Sequence, residues 1–112
     1  MQAIPLGLVR VTTPGTPVQI TTDASLQVMQ MVVRTVPGFT GKTYLGRSGM
    51  DKSSANKTGV IRILSEPPAF GPQDGEVLPA ATGGHGNWIR VADYWVDADV
   101  AGEGVMVTCF VA

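Results

Sequence analysis

The run Gly104-Val105-Met106-Val107-Thr108-Cys109-Phe110-Val111-Ala112 decides the fold class. Val105, Val107, Cys109 and Val111 alternate with Met106, Thr108 and Phe110, the period of two that a β-strand imposes by pointing successive side chains to opposite faces. Both sets are largely apolar. A strand with one face in water carries polar residues at alternate positions, so this run predicts a central strand or one buried at a subunit interface.

Working outward from that strand, Tyr94 to Asp97 and Trp88 to Val91 read as strand runs separated by Ala92-Asp93. Thr58 to Leu64 alternates, with Val60, Arg62 and Leu64 on one side and Ile61 and Ile63 on the other. Thr43 to Arg47 is a short strand between the turn Pro37 to Gly41 and the polar loop Ser48 to Lys57. That loop's Gly49, Asp51, Ser53, Ser54 and Asn56 predict exposure. Asp23 to Val36 is open to two readings. Asp23 could cap a helix presenting Leu26, Met29 and Val33, but the β-branched cluster Val32, Val33, Thr35 and Val36, stopped by Pro37-Gly38, favours strand in the second half. Val18 to Thr22 is a further short run. Leu6 to Thr13 ends at Thr13-Pro14-Gly15-Thr16-Pro17, where Pro14 presets φ and Gly15 suits a type II turn. Glu66 to Gly75 holds Pro67, Pro68 and Pro72, which cannot pair continuously in a sheet, so it should cross between sheets or pack against a neighbour. Gly83-Gly84-His85-Gly86 reads as a flexible loop. The expectation is one all-β domain over residues 1–112, an antiparallel β-sandwich or flattened barrel with long loops and a Pro-rich crossover. Residues 1–9 are a candidate extended N-terminal arm.

Composition narrows the function classes. At 112 residues a single core suffices, since a chain of this size buries roughly two-thirds of its unfolded surface. Charged residues make up 15%, and the formal net charge is -1 with scattered Lys and Arg, so no electrostatic footprint for nucleic acid is present. One cysteine, Cys109, and one histidine, His85, assemble neither a disulfide framework nor a Cys/His zinc site within one chain. The N-terminal run has no basic n-region and is broken by Pro5 and Gly7, which argues against a signal peptide, and no apolar run approaches the roughly 20 residues of a membrane helix. Synthesis in a reducing cytoplasm is the expectation.

Motifs that would carry chemistry are incomplete. Gly41-Lys42-Thr43 has the end of a phosphate-binding loop, but Val36 stands where that motif needs its first glycine, and a strand-like run follows instead of a helix. Asp97-Ala98-Asp99-Val100-Ala101-Gly102-Glu103 begins like a calcium loop. Ala101 and Thr108 then occupy positions that must supply ligands, so a turn closing a hairpin is the simpler reading. His85 sits among glycines that orient a general base poorly, and Cys109 in an apolar strand reads as a small core residue. Asp93, Asp97 and Glu103, as acids flanking strand ends, are expected to face water rather than to form a glycosidase pair. Trp88, Tyr94 and Trp95 form the densest aromatic cluster. Adjacent strand residues point oppositely, so Tyr94 and Trp95 should divide between core and interface rather than share one sugar-stacking platform. No catalytic residue, cofactor or metal site is expected.

Two segments carry a resemblance. Pro37-Gly38-Phe39-Thr40-Gly41-Lys42-Thr43-Tyr44-Leu45-Gly46 with the loop around Met50-Asp51, and Tyr94-Trp95-Val96-Asp97-Ala98-Asp99-Val100-Ala101-Gly102-Glu103-Gly104-Val105, resemble small structural proteins of tailed bacteriophage particles. The likeness lies in the Tyr-x-Gly strand and the closing Val-Asp-Ala-Asp strand and turn. It implies a β-sandwich virion protein, foremost a head decoration or cement protein on the outer capsid surface. Such a protein binds the major capsid protein, often as a homotrimer, and is assembled in the host cytoplasm. Under this reading Ile4, Leu6 and Leu8 are candidate lattice contacts, and Phe70, Trp95 and Phe110 candidate core or subunit contacts. A neck or tail accessory protein of the same kind of particle shares these features. A carbohydrate-binding module is the alternative from another class.

Overall fold

The computed structural model describes residues 2–36, 38–64, 75–79 (backbone alone) and 89–111. These form an antiparallel β-sandwich. Its strands are β1 (Gln2–Arg10), β2 (Val18–Gln19), β3 (Gln27–Val28), β4 (Gln30–Arg34), β5 (Thr43–Arg47), β6 (Val60–Leu64), β7 (Gly75–Pro79), β8 (Ile89–Arg90), β9 (Tyr94–Ala98) and β10 (Gly104–Val111). One sheet has the order β1-β10-β4-β7, the other β2-β9-β5-β6, and β3 with β8 forms a small third ladder. Among the described residues there is no α-helix, and a single 3-10 turn, Val91–Asp93, joins β8 to β9.

The strand whose two faces both read as apolar is central, as its pattern requires. β10 pairs with β1 on one side and β4 on the other. Its Val105, Val107 and Cys109 enter the core with Met31 and Val33 of β4, facing Leu45 and Val96 of the second sheet. Each large apolar side chain buried in this way stabilises the fold by about 1.5–3 kcal/mol. Gly104 opens β10 because nothing larger fits there. A Cβ at that position would run into the carbonyl oxygen of Val9 on the neighbouring strand.

Several expectations change in the folded chain. Residues read as an arm form β1, paired along its length with β10, and Pro5 is tolerated because β1 is an edge strand. The Asp97 to Glu103 turn does not close a hairpin: β9 lies in the second sheet and β10 in the first, so the turn carries the chain across the sandwich. Asp23 to Val36 holds no helix: a turn at Ala24-Ser25 leads into β3 and β4, so the strand reading of its second half holds. The Pro-rich stretch and the Gly83 to Gly86 loop lie outside the described residues, apart from Gly75, which opens β7. The strands on either side of the Pro-rich stretch, β6 and β7, belong to different sheets.

Candidate functional site

The outer face of the first sheet is an apolar grid. Strand register sets Ala3, Phe110 and Gln30 in one row, Pro5, Thr108 and Val32 in the next, and Leu8, Met106 and Arg34 in a third. Met106 is 42% exposed, Ala3 and Pro5 are exposed, and Leu8, Val32, Thr108 and Phe110 are half-buried. A bulge between Pro5 and Gly7 creates this arrangement. An extra residue in one strand reverses the faces beyond it, so Ile4 and Leu6 pack against the core while Leu8 turns outward.

The outer face of the second sheet is built differently. Tyr44, Gly46, Trp95, Asp97 and Gln19 lie on it, and the loop 48–59 folds back across it. Met50, only 4% exposed, packs its sulfur over Gly46, and a Cβ on Gly46 would collide with the Gly59 carbonyl. Lys52 holds Asp99 at 3.2 Å and lies over the Tyr44 ring, whose hydroxyl donates to Asp99 at 3.1 Å. Burial raises the Tyr44 phenol above its ordinary range, reinforced by the Asp99 hydrogen bond and by the charges of Asp99 and Asp97. At one end of this sheet an open pocket of about 430 Å³ is lined by Gln19, Arg47, Ser48, Ala92, Asp93 and Trp95.

Two acids expected to face water are buried. Asp97 accepts from the Gly15 and Ala98 amides through Oδ1, which ties the Pro14-Gly15 turn to β9. Glu103 accepts from the Thr40 and Gly41 amides, each at 2.9 Å, and so pins the loop before β5. These acids do the work of backbone partners, because a buried amide without an acceptor is costly. Asp93 is exposed, as expected. Asp23 and Asp51 each accept from the amide and hydroxyl of the serine two residues on, which holds both carboxyls below the usual range.

Of the residues singled out from sequence, Leu8 and Phe110 share the outer face of the first sheet, with Ile4 and Leu6 beneath it. Trp95 is half-buried on the opposite sheet, and Tyr94 is in the core. Phe70, His85 and Trp88 lie outside the described residues. Cys109 is fully buried, and burial pushes its thiol up to about 11, which keeps it protonated at neutral pH. Met106, Val32 and Pro5 belong to the apolar grid and were not singled out, although the Met106 alternation with Val105 and Val107 was visible. Among the described residues no group of three or more His, Cys, Asp or Glu is placed to hold a metal ion. No family model, curated protein or solved structure matches the chain.

Proposed function

We propose that this chain is a non-enzymatic structural protein of a tailed-phage virion, foremost a head decoration protein that binds the major capsid protein on the outer shell as a homotrimer. The observation that supports the reading is the apolar outer face of the first sheet, with Leu8, Met106, Phe110, Val32 and Pro5 side by side on paired strands. A contiguous apolar face of this kind is what a docking surface needs, since removing it from water is the main favourable term in association. Leu8 and Phe110 contact a subunit or the lattice directly, while Ile4 and Leu6 support that face from the core side. Trp95 lies on the other sheet and is not needed for this contact. The phage setting comes from the resemblance of the Tyr44-Leu45-Gly46 and Val96-Asp97-Ala98-Asp99 segments. Binding to the folded form alone would add stability to the bound chain by linkage.

Light scattering on the purified protein, together with sedimentation on empty phage shells, tests this. The expected result is a trimer that saturates shells in many copies per particle. The variant carrying Leu8→Asp and Met106→Lys, whose opposite charges face each other across β1 and β10, should keep the fold and lose either the trimer or the shells. A monomer that ignores shells, or a double variant that still trimerises and saturates them, overturns the reading. A few copies per particle would move the protein to the neck or tail.

A further inference from the structure

We propose that the pocket around Trp95 is a binding site for a neutral saccharide. The pocket lies on the second sheet, away from the apolar grid, so it stands whether or not the virion reading does.

Its construction follows from the strands. Trp95 on β9 pairs with Gly46 on β5 and with Gln19 on β2. Because Gly46 has no side chain and is capped by Met50, the indole is bordered on that side by the start of the loop 48–59. On the other side the Gln19 amide donates to the Ala92 carbonyl at 2.8 Å, which fixes β2 against the 3-10 turn and brings Gln19 and Asp93 to the same wall. Arg47 is held over the Tyr94 ring at 5.0 Å. That contact orients the guanidinium without using its hydrogen-bond donors.

The chemistry of the wall points to sugars. An indole offers the apolar, polarisable face on which the C–H side of a pyranose stacks. Around it, the Arg47 guanidinium, the Ser48 hydroxyl and the Trp95 ring N–H make no hydrogen bond to described residues, and the Gln19 amide keeps its oxygen as an acceptor. Among the described residues Asp93 has only a loose partner, Arg90 at 4.0 Å. Donors and acceptors in this mixture match hydroxyl groups, each of which both gives and takes a hydrogen bond. One guanidinium stands against one carboxylate, so the lining carries no net charge to attract phosphates or sulfates. The volume of about 430 Å³ sits within the roughly 300–1,000 Å³ of small-molecule clefts, and its open mouth suits a sugar residue presented at the end or along the side of a glycan.

The test follows the Trp95 ring N–H resonance of the ¹⁵N-labelled protein, and in parallel the fluorescence of a Trp88→Phe variant in which Trp95 is the remaining tryptophan. Free hexoses, 6-deoxyhexoses, N-acetylhexosamines and pentoses are titrated in one arm and neutral polysaccharides in the other. The expected result is a saturable shift with at least one sugar class, weakened about tenfold in Asp93→Ala and in Ser48→Ala, variants whose melting should stay close to the parent. Tighter binding of the polymer than of its free sugar identifies a chain segment as ligand, and equal binding identifies a terminal residue. Silence across both arms overturns the proposal. So does a response that survives both substitutions, or one given by a nucleotide and by no sugar.

Discussion

The two outer faces of this sandwich were made from similar material and finished differently. Each carries a methionine beside aromatic and β-branched residues. On the second sheet the chain covers β5 and β9: Met50 seals Gly46, Lys52 and Asp99 bracket Tyr44, and Asp97 draws in the turn at Gly15, while Ile61 and Ile63 of the edge strand β6 stay 45% and 44% exposed. On the first sheet Met106 stands 42% exposed amid Leu8, Val32 and Phe110. The difference teaches that exposure here is not a shortage of loop. The chain spends the loop 48–59 on β5 and β9 of one sheet and leaves the outer face of β1, β10 and β4 without such a cover among the described residues.

The matched methionines give the largest predicted contrast. Met50→Ala removes a buried side chain from beneath the loop and should destabilise the fold by about 2–5 kcal/mol in urea unfolding. Met106→Ala should cost about 1 kcal/mol or less in the isolated protein, because Met106 is already 42% exposed and gives up less burial. The same Met106→Ala change should weaken assembly measured by sedimentation. Equal costs for the two substitutions would mean that the faces are not finished differently.

A smaller change should come from Gly46→Ala. The added methyl would press on the Gly59 carbonyl and the Met50 sulfur, so the loop must lift from the sheet. Overpacking of this size costs about 1–3 kcal/mol. Hydrogen exchange should localise it, with amides of the loop 48–59 losing protection while those of β10 and β4 keep theirs until global unfolding. Loss spread evenly over both sheets would show that the loop is part of the core and not a cover.

How much of this was legible in the sequence depends on the range of the interactions. β5, β9 and β10 could be placed within a residue or two, β10 from its alternation and β5 and β9 from the turns and loops that bound them. The covers could not. Glu103 reaching Thr40 and Gly41, Asp97 reaching Gly15 and Met50 reaching Gly46 are each set by the tertiary fold, and an acid at a strand end looks the same in sequence whether it faces water or holds amides. β7 was missed because Gly75 and Pro79 bound a run with Glu76 in it, a composition that only an edge strand accepts. The outer face of the first sheet was half legible. Ile4, Leu6 and Leu8 share one face in any regular strand, so only the bulge at Pro5/Gly7 explains why Leu8 alone of the three turns outward.

The smallest effect is a titration, and it asks what anchors the covered face. Tyr44 is held protonated first by burial, then by its hydrogen bond to Asp99 and by the charges of Asp99 and Asp97. Its folded-state pKa is therefore raised, so the folded chain keeps this proton more tightly than the unfolded one. The associated stability is fully present below the ordinary phenol value of 10.0 and is lost as pH rises through the folded pKa. Asp99→Asn removes the charge beside the hydroxyl and leaves the burial, so the Tyr44 midpoint, followed by its ¹³Cζ resonance, should fall toward the ordinary value without reaching it. The alkaline loss of stability should then be smaller and complete at a lower pH. Lys52 loses its carboxylate in the same variant, and among the described residues its ammonium then has only the Tyr44 ring at 5.7 Å to hold it over the sheet. If the midpoint does not move, burial beneath the loop alone sets the proton affinity, and Asp99 is a passenger of the cover rather than one of its fastenings.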